Sequence, residues 1–164
     1  MQITIREALP AESAAAGELT AAVYENEALA EVTYLPRLRD AAGRHAAPDA
    51  WQLIAVDEAG QIVGAAVYTV AGSGFADIAA GEEAEIRMLA TAGSARGRGV
   101  GQALVMDCVR RTREQRRPAL VLSTKPQMVA AQRLYERLGF SRTPERDWEY
   151  APGKGLLTFR LDVD

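Results

Sequence analysis

The feature that most restricts this chain is the run Arg96-Gly97-Arg98-Gly99-Val100-Gly101 between a strand-like and a helix-like segment. Three glycines in six positions let the backbone take positive φ and lie close to a bulky ligand. The preceding segment, EIRMLATA at 85–92, reads as a strand. After the run, Val100, Ala103, Leu104 and Cys108 recur at helical spacing along one face. Strand, glycine loop and helix in that order aim the unpaired N–H groups of the first helical turn at one spot. The positive end of the helix dipole adds to them, and the result is an anion site suited to a pyrophosphate.

Two familiar glycine loops do not fit. The phosphate-binding P-loop needs Lys followed by Ser or Thr after its last glycine, but Gln102 and Ala103 follow Gly101. The dinucleotide fingerprint fails because Leu104 stands where a third small residue belongs. The spacing that fits is Arg96-x-x-Gly99-x-Gly101.

The rest of the chain sets this unit in a sheet. Strands are predicted at 2–7, 51–57, 61–70, 85–92, 119–124 and 156–163, with a short one beginning at Phe140. Helices are predicted at 11–25, 28–42, from the glycine loop to about Arg117, and at 127–138. Pro36 should kink or divide the second, Pro118 should stop the third, and Gly139 should cap the fourth. The run AAGRHAAPD reads as a polar loop, and 71–83 as a small-residue loop. The implied fold class is mixed α/β: one domain over residues 1–164, with a mostly antiparallel sheet of about six or seven strands and helices on both faces.

Composition excludes several classes. One cysteine, Cys108, allows no internal disulfide or CxxC site, and one histidine, His45, leaves little for a metal site or a Ser-His-Asp triad. No metal is expected. A net charge of −3 argues against nucleic acid as a partner. No apolar run approaches the ~20 residues of a membrane span, and the first residues lack a signal peptide's apolar core. A cytoplasmic protein without a membrane partner is therefore expected. The acid excess lies in residues 1–90 and the base excess in 91–164, so the first part could receive a cationic ligand and the second an anionic one, or both are solvated faces.

Three blocks together resemble the GNAT superfamily of acetyl-coenzyme A-dependent N-acetyltransferases: AEIRMLATAGSARGRGVGQAL at 84–104, VLSTKP at 121–126 and AAQRLYERLGF at 130–140. The resemblance implies the GNAT acyl-CoA N-acyltransferase fold. It also implies acetyl-CoA as cosubstrate, direct transfer to a primary amine in a ternary complex, and a small-molecule acceptor. A protein N-terminus or lysine as acceptor, or a non-catalytic acyl-CoA sensor, are the alternatives, and a homodimer is left open.

The resemblance assigns roles residue by residue. The backbone of Met88, Leu89, Ala90 and Thr91 would pair with the pantetheine arm, with a β-bulge opening a slot beside it. Arg96, Gly97, Arg98, Gly99, Val100 and Gly101 would wrap the pyrophosphate. Tyr135 corresponds to the family's general acid toward sulfur, and its place on an inner helix face also suits a core aromatic. Glu85 corresponds to a base used directly or through water, or to a carboxylate that only orients substrate, with Glu82 and Glu83 as stand-ins. Met128 replaces a common asparagine, and Ala95 a common aromatic. Tyr24, Tyr34, Trp51, Trp148 and Tyr150 are candidates for the acceptor side. The arginines 110, 111, 113, 116 and 117 are candidates for the 3′-phosphate or for an exposed helix face.

Overall fold

The computed structural model describes residues 2–27, 29–30 and 32–164. Among these residues lie eight strands: β1 (Thr4–Glu7), β2 (Ala50–Val56), β3 (Ile62–Val70), β4 (Ala84–Thr91), β5 (Ala119–Thr124), β6 (Ser141–Arg142), β7 (Trp148–Ala151) and β8 (Lys154–Asp162). Five helices accompany them: α1 (Ser13–Asn26), α2 (Leu35–Arg39), α3 (Ala41–Ala46), α4 (Val100–Glu114) and α5 (Val129–Arg137). The sheet runs β1-β2-β3-β4-β5-β8-β6, with β7 paired to β8. Every pairing is antiparallel except β4 with β5.

Apolar clusters on both faces of the sheet make three layers. Val100, Leu104, Cys108 and Val109 of α4 pack with Tyr68, Ile86, Leu122 and Phe159 on one face of the sheet. Ala21, Leu35 and Leu38 of α1 and α2 pack with Val67 and Met88 on the other. Close backbone approach fixes both layers. A Cβ at Gly17 would lie 2.1 Å from the Arg39 carbonyl oxygen, and one at Gly64 would lie 2.6 Å from Val100 Cγ1.

The differences from expectation have local causes. The stretch predicted as one helix over 28–42 is a 3-10 turn at Val32–Tyr34 followed by α2, and residues 28 and 31 lie outside the described residues. Pro36 sits in the first turn of α2, where its missing N–H costs nothing. The break falls instead at Asp40, whose side chain accepts from the Gly43 N–H at 3.0 Å and caps α3. AAGRHA is therefore helix α3, not loop, and His45 lies on it. Its Arg44 is 1% exposed and bonds the carbonyls of Arg37 (2.8 Å) and Leu38 (2.9 Å) and the Gln52 side chain (2.9 Å). That buried cation satisfies the carbonyl end of α2, and burial lowers its pKa to about 10. The eighth strand, β7, is a half-exposed edge with no apolar pattern of its own, held by its pairing with β8.

Candidate active site

The site begins at a defect in β4. The register with β3 pairs Ala65 with Ala90 but Val67 with Arg87, so β4 carries one extra residue. Met88 takes that residue's conformation at φ 54°, a left-handed backbone in a non-glycine residue. The bulge breaks the alternation of faces. Ile86 joins the cluster under α4 and Met88 the cluster under α1 and α2. The parallel pairing with β5 stops at Ile86↔Leu122, although both strands run on. β4 and β5 therefore part where the bulge begins, as the resemblance implied.

A cavity of about 490 Å³ passes through this parting. Ile86, Leu122 and Tyr135 line it from the α4 side of the sheet, and Tyr24, Tyr34 and Met88 from the α1 side. Trp148 and Tyr150 of β7 close a further wall, where the Trp148 indole N–H donates to Ser123 Oγ at 3.0 Å. Trp51 is not part of it. It packs on Tyr68, ring centroids 5.5 Å apart. Met128 is on the wall, and its sulfur accepts from the Thr124 hydroxyl at 3.5 Å.

Tyr135 is 4% exposed and rests against Phe140 and Phe159, with ring centroids at 5.8 and 5.9 Å. Gly139, at φ 97°, turns the chain out of α5 and brings Phe140 to that ring. Burial pushes the Tyr135 phenol above its ordinary range, and nearby Tyr24 adds to the shift. The Tyr24 hydroxyl donates to the Leu89 carbonyl at 3.4 Å, within the opened part of β4.

Glu85 is 1% exposed. Its Oε1 accepts the N–H groups of Asp77 (3.0 Å), Ile78 (2.9 Å) and Ala79 (2.9 Å), while Oε2 has only a longer contact to the Asp77 N–H, 3.2 Å. Burial raises its pKa against the pull of these bonds. Glu85 thus ties the loop after β3 to β4, and Oε2 is its less engaged oxygen. The stand-ins lie elsewhere. Glu83 is clamped by Arg146 (2.8 Å) and Arg160, and Glu82 is exposed.

Sequence reasoning passed over Arg87 and Asp77. Both line the cavity, joined Nε to Oδ2 at 3.0 Å. Arg87 also donates to the Phe75 carbonyl (2.8 Å) and the Tyr34 hydroxyl (2.7 Å). The available signal for Arg87 was a second charge two residues after Glu85, on the same face of a mostly apolar strand.

The glycine run lies beyond the cavity wall. Gly97 and Gly99 have φ of 74° and 81°, and Gly99 is the N-cap of α4 without any side-chain capping bond. The first-turn N–H groups of α4 therefore have no side-chain cap and form a donor set suited to phosphate oxygens. Arg96 pairs with Glu27 at the end of α1. The arginine cluster lies away from this loop. Arg110 and Arg111 pair with Asp107, and Arg117 bonds Gln115. Cys108 is buried in the core, and its thiol is pushed up by that burial.

The sequence profile of the acetyltransferase (GNAT) family matches residues 16–140, three quarters of the chain. The chain belongs to the GNAT acetyltransferase family. It is an acyltransferase whose cosubstrate is acetyl-CoA. No curated protein matches this acetyltransferase by sequence. Solved structures share its fold. A GNAT-family acetyltransferase from Staphylococcus aureus MU50 is 15% identical, covers 99% of this chain and 100% of its own, and superposes with a TM-score of 0.78. The yncA structure of Salmonella typhimurium, with its cofactor acetyl-CoA, is 23% identical over 99% and 94% of the two chains, TM-score 0.72. The ribosomal-protein-S18-alanine N-acetyltransferase of Escherichia coli is 15% identical over 99% and 95%, TM-score 0.73. The mixed, mostly antiparallel sheet expected from the sequence is the one observed, with eight strands rather than six or seven.

Proposed function

We propose that this acetyltransferase moves the acetyl group of acetyl-CoA to the primary amine of a small molecule, by direct attack in a ternary complex. The cavity through the β4–β5 parting carries the reading. Its volume of about 490 Å³ is that of a small-ligand pocket, and aromatic side chains wall it. A protein N-terminus as acceptor would call for an open groove instead.

The residues divide the work. Backbone groups of Met88, Leu89, Ala90 and Thr91 hold the pantetheine arm, and the N–H groups of 96–101 hold the pyrophosphate. Attack forms a C–N bond and breaks the C–S bond, so the sulfur must gain a proton and the amine must lose one. Tyr135 keeps its proton well past neutral pH, lines the parting, and gives that proton to the sulfur. Oε2 of Glu85 takes the amine's proton, directly or through water, while Oε1 stays held by the loop.

Calorimetry with acetyl-CoA, and ATP as control, tests the cofactor site. Micromolar binding of acetyl-CoA alone is expected, and no binding overturns the assignment of 96–101. Thiol release with free amines and with peptides then tests the acceptor. Turnover confined to peptides overturns the small-molecule reading.

A further inference from the structure

We propose that the acceptor amine carries its own anionic group, making the substrate class a small amino carboxylate rather than a polyamine or an uncharged amine. This rests on the cavity being the acceptor site. Among the described residues the cationic side chains on its wall are Arg37, Arg87 and Lys125, and the acidic ones are Asp77 and Glu85. The acid excess of the first half of the sequence is thus not seen on this wall among the described residues.

Both acids are already engaged. Asp77 pairs with Arg87, and Glu85 is held by three backbone N–H groups. Among the described residues a cationic substrate finds only Oε2 of Glu85 unclamped, against two cations, Lys125 and Arg37, that no carboxylate neutralises. The cations are placed differently. Arg87, its side chain 12% exposed, is fixed by the Phe75 carbonyl, Asp77 and Tyr34. A guanidinium carries five N–H donors, so these three bonds leave one N–H on each Nη for a ligand. Lys125 lies on the wall beside Tyr150, its Nζ 5.2 Å from that ring's centroid. Arg37 stands at the exposed lip. Among the described residues no carboxylate pairs with Lys125 or Arg37.

Fixed guanidinium donors suit a carboxylate, and the aromatic wall suits an apolar side chain beside it. The positive wall also favours the neutral amine over its ammonium form, easing the proton loss that attack requires.

The test is thiol release with matched sets: phenylalanine, phenylalaninamide and phenethylamine; leucine, leucinamide and isopentylamine; spermidine; and alanyl tripeptides. The acid of a set is expected to exceed its amide and its decarboxylated amine by roughly tenfold or more in kcat/KM. Arg37→Gln, at an exposed position that leaves folding intact, should raise KM for the acid and leave KM for acetyl-CoA unchanged. Arg87→Lys should raise it further. Equal or better turnover of the decarboxylated amines or spermidine overturns the proposal and leaves the small-molecule reading standing. Turnover of peptides alone, or of nothing despite acetyl-CoA binding by calorimetry, overturns both.

Discussion

Replacing Gly17 by alanine sets two effects of known sign against each other. In an open helix the change stabilises by about 1 kcal/mol. Here the new Cβ would meet the Arg39 carbonyl oxygen at 2.1 Å and its carbon at 2.8 Å. That neighbour is backbone, so α2 must retreat by roughly 1 Å to restore ordinary contact. A clash this short against backbone belongs to the upper part of the overpacking range, about 2–3 kcal/mol, which leaves a net loss of about 1–2 kcal/mol. For a chain of this length the melting temperature should fall by roughly 2–8 °C. The retreat also draws Tyr34, next to α2, from its 2.7 Å bond with Arg87. KM for the acceptor should rise while KM for acetyl-CoA holds. Thermal unfolding and two-substrate kinetics measure both effects. Ala15→Gly, at an exposed site on the same helix, is the control. It should lose up to about 1 kcal/mol and leave both KM values alone. A Gly17→Ala protein that melts above the wild type refutes the close crossing of α1 and α2.

Three further outcomes can be measured. Tyr135→Phe removes only a hydroxyl, so the melting temperature should stay close to wild type while kcat falls roughly 100-fold; unchanged kcat assigns Tyr135 to the core alone. Glu85→Gln should abolish the acidic limb of the kcat/KM profile, a limb lying above the ordinary glutamate range because burial raises this carboxyl. A limb that persists in the variant rules Glu85 out as base. Asp147, bonded to Arg142 at 2.8 Å and to the Thr158 N–H at 2.9 Å, has its pKa lowered to about 2. Because the folded value lies below the unfolded one of about 3.9, its stabilisation is complete above that range and is lost as pH falls toward 2. Asp147→Asn should therefore melt lower than wild type at pH 7, and melts taken in acid should show the gap closing.

What could be read in advance was what is local in the chain. Glycine spacing, the apolar face of α4 and the run at 119–124 each declare themselves within a few residues. The helical region after α1 did not. Pro36 looked like a break and is a first-turn residue. Arg44 looked like part of a polar loop because the carbonyls and the Gln52 side chain that bury it come from outside its own turn. Arg87 and Asp77 were missed for the same reason. Their pairing closes a loop of small residues whose pattern carries no periodicity. Strand β7 exists through its partner, and Trp148 reaches the cavity wall only once β8 has positioned it.

The bulge explains why one strand can serve two ligands. Before it, alternation sends Glu85 and Arg87 toward the α1 side, where they meet the 77–79 loop and Tyr34. With no extra residue, Met88 would turn to the α4 side and the parallel ladder with β5 could continue. The extra residue instead sends Met88 to the same side as Arg87 and ends the ladder at Ile86. Opening a parallel pair leaves backbone N–H and C=O groups needing partners. The Tyr24 hydroxyl supplies one at Leu89, and a pantetheine arm would supply others. A left-handed backbone at a methionine costs about 1–3 kcal/mol, a strain the surrounding packing must hold in place. On the proposed function, the side chains before the bulge face the acceptor and the backbone after it faces the cofactor. A substitution that relaxed Met88 into a regular strand should stabilise the protein and close the parting between β4 and β5.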